Sequence, residues 1–145
     1  MRAKILLADS AEVREGLLFL LGGGWTEVGP ASQVFAIAGT LDVEWEETNA
    51  PHLVEFTIDE DDGNPLMVPT PTGNQPFKIT TQFEVGRPAG SPRGRSFVVP
   101  VAIPILPIPW TTGRNYVLIV RIDTKEVDRL KFSVRPSPPQ PQQRG

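Results

Sequence analysis

Over most of this chain, apolar side chains recur at every second position, and no segment carries a long stripe at helical spacing. From Phe35 to Trp45 the odd positions are Phe35, Ile37, Gly39, Leu41, Val43 and Trp45, set against Ala36, Ala38, Thr40, Asp42 and Glu44. Val54, Phe56 and Ile58 repeat the pattern against Glu55, Thr57 and Asp59. It returns at Phe77–Val85, Phe97–Ile105, Tyr116–Ile122 and Leu130–Val134. Successive side chains of a strand point to opposite faces, so period 2 is the mark of a half-buried strand. The runs are separated by turn chemistry: Asp61-Asp62-Gly63-Asn64, the Pro69–Pro76 stretch, the Gly86–Arg95 loop and Asp123-Thr124-Lys125. This reads as an all-β domain over residues 1–135, an antiparallel two-sheet Greek-key sandwich of immunoglobulin-like type with about 7–9 strands. A closed barrel is the alternative. Residues 136–145 are rich in Pro and Gln and have nothing to bury, so an extended or disordered tail is expected there.

The first 30 residues are patterned differently. Lys4 to Asp9 reads as an inner strand. Asp9-Ser10-Ala11 can cap a short helix with Glu12 at capping-box distance, but an irregular or extended segment turning at Glu15-Gly16 agrees better with the strands on either side. Five consecutive apolar residues, Leu17 to Leu21, predict a central strand buried on both faces. Gly22, Gly23 and Gly24 predict a bend or bulge, and Trp25 a plug at one end of the core. The triple glycine is no phosphate cradle: Glu27 has the wrong charge, and Gly29-Pro30 breaks any helix that would hold the anion.

Several of these motifs occur together elsewhere. Leu-Leu-Ala-Asp at 6–9, Gly16-Leu17 opening an apolar strand and Gly-Gly-Gly-Trp at 22–25 resemble the start of an uncharacterised family of small bacterial β-sandwich proteins, a domain of unknown function. The likeness continues through Val-Glu-Trp-Glu-Glu-Thr-Asn-Ala-Pro-His at 43–52, Phe-Glu-Val-Gly-Arg-Pro at 83–88 and the hairpin after Gly113. The resemblance implies a β-sandwich with no assigned activity, and it carries over no functional residue.

Composition closes several routes. With no cysteine among 145 residues there is no disulfide, thiolate metal site or cysteine nucleophile, which agrees with a cytoplasmic setting. A net charge of −3 gives no global attraction for nucleic acid or anionic lipid. The apolar run Ile5–Ala8 stops at Asp9, short of the roughly 7–15 residues of a signal peptide. The stretch Phe97–Trp110 is too short and too proline-rich for a membrane helix of about 20 residues. The single histidine, His52, reads as a solvated residue in a loop before a strand, and no serine lies in a nucleophile-elbow setting. No enzyme and no cofactor are expected.

Three features remain as candidates. The acids Asp59, Asp61 and Asp62 lie in an oxygen-rich turn of the kind that binds Ca²⁺, although EF-hand spacing fails and a solvated hairpin turn explains them. Arg87, Arg93 and Arg95 lie in a loop free of acids, suited to anions or an acidic partner. Ile105, Ile108 and Trp110 lie in a proline-rich run that either marks a partner surface or crosses under its own loops from a sheet edge. Leu41 to Asn64 holds nine acids and no Lys or Arg, so homo-oligomers joined acidic face to arginine loop are also expected. The function this supports is a non-catalytic interaction or structural module acting through protein contacts. The alternative is a sandwich that binds carbohydrate, Ca²⁺ or an anion through loops at one end.

Overall fold

The computed structural model describes residues 1–138. The described residues are all-β, with a single 3-10 turn among them at Trp45–Glu47 and eleven strands: β1 (Arg2–Arg14), β2 (Leu17–Gly23), β3 (Glu27–Val28), β4 (Phe35–Val43), β5 (Pro51–Glu60), β6 (Met67–Thr70), β7 (Gly73–Pro76), β8 (Lys78–Glu84), β9 (Phe97–Ile105), β10 (Asn115–Ile122) and β11 (Lys125–Val134). The count exceeds the expected 7–9 because short segments pair. β3 has two residues, and part of the expected Pro69–Pro76 loop forms the β6–β7 ladder. Residues 139–145, which include most of the expected tail, lie outside the described residues.

The first sheet has the order β2-β1-β4-β9 and the second β3-β11-β10-β5-β8. All pairings are antiparallel except β3 with β11. One core collects the expected parity from both sheets: Ile5, Leu7, Ile37, Leu41 and Val43 from the first, Val54, Phe56, Ile58, Tyr116, Leu118, Val120, Phe132 and Val134 from the second. Each fully buried aliphatic or Phe side chain contributes roughly 1.5–3 kcal/mol.

β4 is buried on both faces from Phe35 to Gly39, and with β1 it is the inner strand of its sheet. Small residues on its second face, Ala36 and Ala38, lie beside Ala8 and Ala102 in the register. The sheet is coiled so far that its edge strands β2 and β9 approach one another. Gly39 makes the closest approach. A side chain there would overlap the backbone carbonyl oxygen of Lys4, and its φ of 154° suits glycine. The sheets are also tied at an edge, where the Ile5 N–H donates to Asp128 Oδ2 at 2.8 Å.

The Leu17–Leu21 stretch corrects its expectation. β2 is not central but the edge strand of the first sheet. Leu17, Phe19 and Leu21 are 62%, 47% and 71% exposed. The segment from Ser10 to Arg14 is extended and turns at Glu15-Gly16, as expected, with no helix. It continues β1 past the end of β4 and pairs only with β2, through a turn at Glu15-Gly16 with φ of 51° and 73°. Positive φ at both residues suits a two-residue hairpin. Trp25 does plug the core, its ring edge-on to Phe35 and Phe132 at centroid distances of 5.8 and 6.3 Å.

Candidate interaction surface

The hairpin of β1 and β2 concentrates exposed apolar surface. Nine large hydrophobic residues are exposed among the described residues, and five of them, Val13, Leu17, Phe19, Leu20 and Leu21, lie on it. Two more, Val34 and Leu106, adjoin the paired Phe35 and Ile105, at the end of the sheet from which the hairpin leaves. Single exposed apolar residues are ordinary, but a cluster on one hairpin marks a contact surface. β2 also has a free ladder edge, since among the described residues β1 is its only paired neighbour. It carries no charged residue and no proline, the usual guards of an edge strand. The polar residues stand on β1, where Glu12 pairs with Arg14 and the Arg14 guanidinium lies 5.5 Å from the Phe19 ring centroid.

The residues singled out from sequence lie elsewhere, and most are engaged within the chain. Ile105, Ile108 and Trp110 are 4%, 3% and 9% exposed, so they are core residues and not a sticky surface. The reason is topological. The chain leaves the first sheet after Ile105 and enters the second at Asn115, so the connection crosses one end of the core and closes it. Trp110 is the hub there, with ring centroids 5.9 Å from Phe35, 5.0 Å from Tyr116 and 5.5 Å from Phe132. The bland alternative, a proline-guarded edge strand passing under its own loops, describes this segment.

Arg87 is likewise committed. Its guanidinium stacks 3.9 Å from the Trp45 ring centroid, donates to Thr48 Oγ1 at 2.6 Å and to the Trp45 carbonyl at 2.7 Å. Trp45 in turn stacks on Phe97, with Arg95 beyond that ring at 5.8 Å. Arg87 therefore clamps the 3-10 turn, and only Arg93 of the three lies outside this stack. The acids are not one face. Asp42 is on the first sheet, while Glu55, bridged to Lys78, and Glu60, bridged to Arg114, are on the second. Asp62 accepts from the Asn64 N–H and side-chain amide, and these bonds hold its carboxyl below the usual range. Asp59 and Asp61 line an open groove with Arg129 and Lys131 nearby. Among the described residues no three His, Cys, Asp or Glu side chains converge as a metal site.

His52 corrects its expectation. It lies in β5, not in a loop, and its side chain is only 11% exposed. Nδ1 is 2.6 Å from Asp123 Oδ2 and Nε2 is 2.6 Å from the Glu47 carbonyl oxygen. Both partners are acceptors, so only the imidazolium satisfies both. Burial works to lower its pKa, but Asp123 and the Glu47 carbonyl outweigh burial and raise it. The same contact, with the bond from the Leu53 N–H, lowers the pKa of Asp123. In the imidazolium form, with both nitrogens donating, this histidine has no lone pair to offer a substrate proton.

One apolar cleft of about 430 Å³ opens between β8 and β9, the edge strands of the two sheets. Ile79, Phe83, Val99, Val101 and Ile103 line it half-buried, with Thr81 and Gln82 as its polar groups.

A match to the Family of unknown function (DUF6941) runs over residues 4–135. The chain belongs to this family. No curated protein and no solved structure matches it. The DUF6941 match takes in β2 to β11 and all but the first two residues of β1, so the exposed hairpin and the His52 latch both lie inside the family domain. The exposure of the hairpin was not legible in the sequence, because five apolar residues in a row look the same whether a strand is buried or merely sticky. The available signal was the sequence around it: the part of β1 that pairs with it turns polar at Asp9, Ser10, Glu12 and Arg14.

Proposed function

We propose that this DUF6941 protein is a non-catalytic interaction or structural module, and that the β1–β2 hairpin is its contact surface. The observation that carries the reading is the exposure of Leu17, Phe19 and Leu21 on a strand whose second edge is unpaired. Exposed apolar surface on an unguarded edge is costly to keep unless a partner covers it. The occupied nitrogens of His52 support the non-catalytic part, and the lack of cysteine supports a cytoplasmic setting.

The same proposal takes the fold to be an immunoglobulin-like Greek-key sandwich. The order β1-β4-β9 beside β11-β10-β5-β8 follows the A-B-E and G-F-C-C′ arrangement of such domains. Tyr116 supports it further, its hydroxyl accepting from the Thr111 N–H at 2.9 Å, as in a tyrosine corner. The cleft at β8 and β9 favours a second reading, an apolar ligand held between the sheets.

A photo-crosslinker placed at Leu21 in living cells tests the first reading, with Lys78 on the far sheet edge as control. Protein adducts from position 21 and none from position 78 are expected. Adducts at neither position would remove the interaction reading and leave the cleft.

A further inference from the structure

The partner of the hairpin can be narrowed from the strand itself, on the reading of it as a contact surface. β2 runs Leu17-Leu18-Phe19-Leu20-Leu21, a sequence identical in both directions about Phe19. An antiparallel pair is related by a twofold axis, so two copies of one strand meet with each residue opposite its mirror position. For most edge strands this brings a charge or a bulky side chain against a mismatch. Here Phe19 meets Phe19 of the second copy, Leu17 meets Leu21, and Leu18 meets Leu20. Every cross-strand pair is apolar, and no charged residue of β2 has to be desolvated.

The ends of the strand fit as well. In that register the hairpin turn Glu15-Gly16 of one copy lies beside Gly22-Gly23 of the other. The glycines present no side chain to the approaching turn. Glu12 and Arg14 stand one strand further out on β1, where they flank the apolar centre as a polar rim. The unpaired ladder of β2 gains its missing hydrogen bonds, and the two four-stranded sheets become one sheet of eight.

We infer that the chain forms a twofold dimer through antiparallel pairing of β2 with β2 of a second copy, centred on Phe19. A contact of one short strand is at the small end of specific interfaces, so the dimer is in exchange with monomer at micromolar concentrations. The mode differs from joining an acidic face to the arginine loop, since it is symmetric and insensitive to salt.

Because the natural chain has no cysteine, single cysteines report the register without background. Phe19→Cys places two thiols across the axis, within the roughly 4.4–6.8 Å between Cα atoms that a disulfide needs. It is expected to give a covalent dimer under mild oxidation. Leu17→Cys alone is not expected to link, but mixed with Leu21→Cys it is expected to give the mixed dimer. Leu106→Cys, 79% exposed, is the control for random collision. Phe19→Glu is expected to abolish the dimer with an unchanged far-ultraviolet spectrum. Linking by Leu17→Cys or Leu106→Cys as readily as by Phe19→Cys overturns the register. A monomer at all concentrations, with no specific linking, overturns the dimer. If that monomer still gives adducts to another protein from position 21, the interaction reading stands and only self-pairing is lost. If it gives none, both fall.

Discussion

His52 is held by two acceptors, and the sign of its pH dependence follows. Its folded pKa is raised, so the latch to Asp123 contributes fully below about pH 6.5 and is lost as pH rises through the folded value. Asp123 has a lowered pKa, so its share is present above about pH 4 and is lost as pH falls through its folded value. The latch is therefore strongest between those limits. His52→Gln is expected to cost about 1 kcal/mol at pH 6, discounted because Asp123 is half exposed, and almost nothing at pH 9. Thermal melts across that range would show it, and an equal loss at both pH values would contradict it. Gly39 is the second decisive residue. Gly39→Ala forces a side chain against the Lys4 carbonyl and is expected to cost about 3 kcal/mol or more, read by denaturant unfolding. At this scale the sequence was a fair guide to parity and a poor one to partnership. Alternation placed Val54, Phe56, Tyr116 and Leu118 inward, as found. Nothing local announced that Asp123, 71 positions away, would meet His52.

At the scale of elements, the strands with polar-apolar alternation were legible because one face of each is solvated. β2 was not, because a run of leucines does not record whether a second sheet or solvent covers it. The distinction is measurable. Leu21→Asn on the exposed edge is expected to change stability by no more than about 0.5 kcal/mol, whereas Leu41→Ala in the core is expected to cost about 2–5 kcal/mol. Comparable losses at both positions would return β2 to the interior. The Gly86–Arg95 loop makes the opposite point: its charge was legible, its use was not. Arg87 serves a stack with Trp45 and Phe97, so Arg87→Ala is expected to cost about 1–2 kcal/mol and Arg93→Ala within about 0.5 kcal/mol, by the same unfolding measurement. The contact of Ile105, Ile108 and Trp110 with the core was hidden for a related reason. A connection that changes sheets looks like a proline-rich surface loop until the two sheets are assembled around it.

For the whole molecule, the all-β class followed from the period and the turns. The order of the strands did not, because hydrogen bonding across β10 and β5 or β4 and β9 is decided by shared burial and not by neighbouring sequence. What the assembled molecule adds is an asymmetry. The second sheet carries the bridges Glu55–Lys78, Glu60–Arg114 and Glu126–Arg129, while the first ends in an unguarded apolar strand. The central claim is that this strand meets its own copy. Sedimentation equilibrium of the whole chain, from about 1 to about 200 μM at low and high salt, tests it most directly. The account predicts a reversible monomer–dimer equilibrium that is unmoved by salt and absent in Phe19→Glu. A single monomeric species across the range, or a dimer that Phe19→Glu leaves intact, would contradict it.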